Sequence, residues 1–317
     1  MKIPGMGALK RAERTGNQVE VPVAQRLGLV DFLKRTSKEI GEDHVSAFAG
    51  NLTYKWLFAL FPFSVFLLSL LGIFGAPNLV GTLVEQASAV MPAAAAGFVE
   101  EQLLAISGSQ AQGALTVGAL VSLFFALWGV SGAFRSVMEA MNVMYEVEES
   151  RPFWKVYLVS LLLSLTTAVL LVSALVLVVA GPSIGGAVAD ALGLGGLFQT
   201  VWSIVQWPIL LGVVLLTIAL VYYFAPDVEQ RFRWISPGAV VAVALWLAFS
   251  LLFSLYANNF GSYSESYGSL AGVAILMLYI YYTSFIVLVG AEMNQVIEEN
   301  VPEGKNEGEK LPDAGRA

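Results

Sequence analysis

Two ionisable side chains stand in or beside strongly apolar sequence. Lys55 lies near the start of "NLTYKWLFALFPFSVFLLSLLGIF" (51–74), and Glu292 lies in "GAEMNQ" (290–295) at the end of another apolar run. Ionisable groups in such settings are costly, so each calls for a partner or a function. If both runs are helices ending on one face of a membrane, Lys55 sits roughly 8 residues, hence about 12 Å, along its helix. A lysine side chain there can reach towards Glu292. The alternative is that Lys55 snorkels to lipid phosphates while Glu292 faces water. A third acid, Glu139, follows Arg135 by four residues, the spacing of an intrahelical ion pair.

Other chemistries have too few residues. The chain has no Cys and one His, His44, so neither a thiolate metal site nor a His cluster can form. The acids are scattered, with no Asp-x-Asp spacing, so the converging ligands of two-metal hydrolysis are missing. The cations before residue 40 are interleaved with acids, which is not the clustered basic patch a nucleic acid needs. The glycines of "GPSIGG" (181–186) and "GLGG" (193–196) lack the strand, loop and lysine of a phosphate cradle and read as a flexible turn. No catalytic residue, metal, cofactor or nucleic-acid partner is expected.

The elements that must hold these residues are membrane helices. Of 317 residues, 57% are hydrophobic and 13% charged, against about 25% charged in soluble domains. Six continuous apolar runs, near 47–74, 114–134, 156–180, 201–224, 236–257 and 269–291, are each long enough to span a bilayer as a helix. The expected fold is all-α, a polytopic membrane protein with six transmembrane helices. Pro62 and Pro208 interrupt spans one and four and can kink them. The loops 75–113, 181–200 and 258–268 contain no Lys or Arg, whereas the other connections and tails do. The positive-inside rule then puts both termini in the cytoplasm. Trp154, Trp202 and Trp234 suit interfacial anchors or ordinary packing.

Four regions follow. Residues 1–24 and 298–317 read as disordered cytoplasmic tails. Residues 25–46 read as an amphipathic juxtamembrane helix, lying on the membrane or on the protein's own helices. Residues 47–297 form the transmembrane domain, with an outer helical cap at 75–113. Arg151-Pro152 marks the break before span three. No cleavable signal peptide is apparent, and the first apolar run is expected to stay as a helix.

Five phrases occur together: "TYKWLFALFP" (53–62), "GAFRSVMEAMNVMYEVEESRPFW" (132–154), "YYFAPDVEQRFRWISPGA" (222–239), "FSLYANNFGSYSESYGSLAGV" (253–273) and "GAEMNQ". They resemble the YihY/BrkB family of bacterial inner-membrane proteins over about residues 30–297. The resemblance implies six helices in that membrane. Family members carry names for virulence or serum resistance, some are labelled ribonuclease BN, and some are linked to export of lipid-type envelope precursors. Tyr54, Pro62, Asn142, Pro226, Gly238, Gly261, Tyr267, Gly268, Glu292 and Asn294 match the family pattern, whereas Lys55 departs from it. Candidate substrate or coupling residues are therefore Glu292, Asn294, Tyr54, Lys55, Glu139 and Asn142. Candidate kink and turn positions are Pro62, Pro208, Gly261 and Gly268. The expected function is movement of a lipid or amphiphile without nucleotide hydrolysis. The alternatives are a non-catalytic scaffold or envelope-assembly factor, and an enzyme acting on RNA or lipid. Membrane lipids, a lipid or amphiphilic substrate and a second copy of the chain are the expected partners.

Overall fold

The computed structural model describes residues 28–73, 117–193, 195–229, 235–259 and 269–300. Seven helices run through them: α1 (Leu29–Glu42), α2 (Val45–Ile73), α3 (Val117–Met144), α4 (Phe153–Leu192), α5 (Gly195–Phe224), α6 (Pro237–Asn259) and α7 (Ser269–Glu299). Among the described residues there is no strand. The predicted cap at 75–113, the tail 1–24, the tail residues 301–317, and Gly261, Tyr267, Gly268 and Trp234 lie outside the described residues, whereas 298 and 299, read as tail, continue α7.

Among the described residues four helical segments are long and apolar enough to cross a membrane: Phe153–Val178, Gly195–Phe224, Pro237–Ala257 and Gly272–Glu299. They correspond to predicted spans three to six, and predicted spans one and two fall on α2 and α3. The flanks of α4 and α5 are lined with exposed apolar side chains, among them Leu162, Val169, Leu197, Val201 and Ile204. Water would penalise such a surface, whereas hydrocarbon is its natural solvent. Helices satisfy their own backbone groups, which is what that solvent requires.

Chain neighbours are spatial neighbours. Helices α2 to α7 each touch the next in order, and α7 returns to α2, closing a ring; α1 lies against α7 and α2. Small polar groups join the seams. Ser131 on α3 meets Ser160 on α4 at 2.8 Å, and Ser250 on α6 meets Tyr279 on α7 at 3.1 Å. Such hydrogen bonds between apolar helices add to close packing where lipid is the competing environment. The tightest crossing is between α6 and α7. A Cβ on Gly290 would lie 2.7 Å from the carbonyl oxygen of Gly238, so only glycine fits there.

The glycine-rich connection between α4 and α5 differs from its reading as a flexible turn. Helix α4 continues through 181–186 to Leu192, and the left-handed glycines come after it, Gly193 at φ +64° and Gly195 at +61°. The reason is packing. Gly181 and Gly185, four residues apart, share a helical face. There α5 lays Trp202 against Gly185, and its Nε1 donates to the Gly181 carbonyl at 2.6 Å. Trp202 is thus a packing residue, whereas Trp154 is exposed as an anchor would be. Helix α5 runs on through Pro208, and α2 is helical through position 62.

Candidate functional site

The largest concentration of buried polar chemistry lies where the α1–α2 corner, the end of α3 and the last turns of α7 meet. Helix α1 buries Phe32 and Thr36 and is held to α7 through Arg35, which bonds Glu299 and reaches Asn300 Oδ1 at 3.5 Å. The chain then turns at Asp43 and His44. His44 has φ 51°, unusual for a residue with a Cβ. This corner aims the Asp43 carboxyl at α7, where it is hydrogen-bonded to Glu292. Glu292 is only 1% exposed. Its Oε1 and the Oδ2 of Asp43 are buried without a hydrogen-bond partner. Glu39 and Glu146 add negative potential around the pair.

Burial pushes the Asp43 carboxyl above its usual range, and the nearby negative charge of Glu39 adds to that. Two carboxyls in contact cannot both be ionised cheaply, so one proton between them is the natural state. Tyr145 closes the site from the end of α3. It is buried, which pushes its phenol up, and it hydrogen-bonds Asn294. Asn294 accepts the Gly238 N–H at 2.9 Å and donates to Ser236 Oγ at 3.0 Å. Tyr222, from α5, donates to the Val287 carbonyl at 2.6 Å. Met138, Met141, Met144 and Leu288 fill the surrounding core.

Beside this site runs a second polar system. Asn142 Nδ2 donates to Glu149 at 2.9 Å, while its Oδ1 accepts the Asp227 N–H at 2.7 Å. Arg151 grips Glu149 through two bonds of 2.7 and 2.6 Å and donates to the Ala225 carbonyl at 2.9 Å. These bonds hold Glu149 below the usual carboxylate range against the opposing effect of burial. The arrangement ties the end of α3 to the end of α5.

The predicted residues therefore separate. Glu292 and Asn294 are in the acid site, and Asn142 is in the adjoining strut. Tyr54, Lys55 and Glu139 are exposed. Glu292 bonds Asp43, and the buried carboxyl does not pair with exposed Lys55. Arg135 lies over the Tyr157 ring at 4.2 Å, a cation–π contact in place of the predicted pair with Glu139. Asp43, Glu39, Glu146 and Tyr145 were not singled out by sequence. Their only signal is three acids, Glu39, Glu42 and Asp43, clustered just before the first apolar run. Among the described residues no group of acids or His is placed to hold a metal ion.

Apolar helices long enough to span a bilayer, joined around buried polar groups, define a multi-pass membrane protein. The family model for virulence factor BrkB matches residues 36–314, and the chain belongs to that family. It is 30% identical over 286 residues to the "putative ribonuclease-like protein YfkH" of Bacillus subtilis, covering 90% of this chain and 98% of that one. UPF0761 membrane proteins of Cronobacter sakazakii and Alteromonas mediterranea are each 29% identical. They cover 87% and 82% of this chain, and 91% and 84% of their own. No solved structure matches the chain.

Proposed function

We propose that this protein moves a lipid or amphiphilic envelope component across the bacterial inner membrane without hydrolysing nucleotide. It acts as a six-span bundle with both termini in the cytoplasm. The observation that carries this reading is a buried carboxyl pair inside a ring of apolar-flanked helices. Ionisable groups at such positions usually line substrate or ion paths. The orientation is supported by Lys and Arg, which avoid three alternate connections. Substrate, membrane lipid and a second copy of the chain are the partners of this reading, which is non-catalytic and needs no cofactor.

Purified protein in liposomes, with labelled phospholipids and anionic amphiphiles, tests it. Transfer between leaflets faster than in empty liposomes supports the reading. Folded protein that moves none of the probes overturns its lipid form. A second reading, a scaffold for envelope assembly, is favoured by Leu29, Val30 and Leu33, which α1 leaves exposed. RNA cleavage by protein free of contaminating nucleases would overturn both.

A further inference from the structure

We infer that Asp43 and Glu292 form a proton-binding site that holds one exchangeable proton between two carboxyls and fastens the α1–α2 corner to α7 while it is bound. The site deepens the transport reading by giving it a coupling ion, and it can be tested apart from transport.

Three observations converge. Asp43 Oδ2 and Glu292 Oε1 are both buried without another hydrogen-bond partner, the two carboxyls face each other, and a bond between carboxyl oxygens needs a hydrogen on one of them. The pair is buried on the α7 side, where Glu292 is 1% exposed and its Oε1 has no hydrogen-bond partner. A second ionised carboxylate there would be left without a counter-charge. The charges facing the pair are also negative. Glu39 approaches from α1 and Glu146 from the end of α3, with Glu42 beside Asp43 on its own corner. The basic groups around it are His44, at the exposed corner, Arg35, which is committed to Glu299 and Glu39, and Lys38, which is committed to Glu42. From α3 and α5, Tyr145 and Tyr222 face the same core as neutral phenols bonded to Asn294 and to the Val287 carbonyl.

Release breaks one carboxyl O–H bond and passes its proton to water. Both groups are then carboxylates. Asp43 is the half-buried member, so the proton leaves past it. Two adjacent carboxylates repel, and the α1–α2 corner carries the charge that can move outward. The α7 carboxylate is almost fully buried, on a helix packed against α2 and α6. A cation could replace the proton only with more ligands than the described residues converge there.

The test is infrared difference spectroscopy of the detergent-purified full chain across a pH series. The wild type is expected to show a protonated-carboxyl stretch at neutral pH that titrates away on alkalinisation. D43N and E292Q are each expected to remove it, because the remaining carboxylate then accepts a bond from the introduced amide. A wild type without that absorption at neutral pH overturns the site, with no variant needed. So does absorption that persists undiminished in a folded D43N or E292Q. Liposome assays with an imposed pH gradient separate the two readings. An infrared signal without lipid movement leaves the proton site standing and removes transport. Lipid movement without the signal does the reverse.

Discussion

Asp43, at the α1–α2 corner, and Glu149, between α3 and α4, share no helix, yet they respond to pH in opposite directions. The Asp43 carboxyl is raised by burial. Its contribution to stability is fully present below the unfolded aspartate value of about 3.9 and is lost as pH rises through its folded value. Glu149 is lowered, so its contribution is present above about 4.3 and is lost as pH falls through its folded value. Thermal unfolding in detergent checks both. D43N is expected to flatten the loss of stability on the alkaline side, and E149Q the loss on the acid side. Asn142→Ala removes the partners of Glu149 and of the Asp227 N–H. It is expected to cost about 2 kcal/mol, as buried polar groups left unmatched generally do. An unchanged melting temperature would reduce Asn142 to a surface contact.

At the scale of elements, the α6–α7 crossing rests on Gly238 and Gly290. Gly290→Ala is expected to lower the melting temperature, at a cost of about 1–3 kcal/mol, as overpacking does. The new methyl would meet the Tyr222 hydroxyl first and then the Gly238 carbonyl oxygen at 2.7 Å, and that backbone cannot rotate away. Spans of this kind were readable in sequence because continuous apolar runs need no tertiary context. Arg151-Pro152 likewise marked where α4 begins. The far end of α4 was not readable. "GPSIGG" has the residues of a turn, and only Trp202 on the next helix makes 181–186 a packing face. Glu292 was legible because an acid beside apolar sequence stands out. Asp43 was not, because its partner lies on the last helix. Lys55 drew notice by its type, but it is exposed.

At the scale of the molecule, the topology has a direct test. The chain has no native Cys, so single thiols can be introduced cleanly. With both termini in the cytoplasm, a thiol replacing Lys305 is expected to label from the inner side, and one replacing Gly196 from the outer side. Labelling of both from one side would overturn the six-span arrangement. The length of α4 bears on the same picture. Its 40 residues extend about 60 Å at 1.5 Å each, beyond the roughly 40–45 Å of a bilayer with its headgroups. The ring has a further consequence for biogenesis. Five of its six seams join helices made one after the other, and these can form as synthesis proceeds. The seam between α7 and α2 joins the last helix to the first. The carboxyl pair therefore exists only once α7 has been made, and a ribosome that stalls before α7 leaves Asp43 without its partner. Synthesis of α7 and assembly of the acid site are therefore coupled.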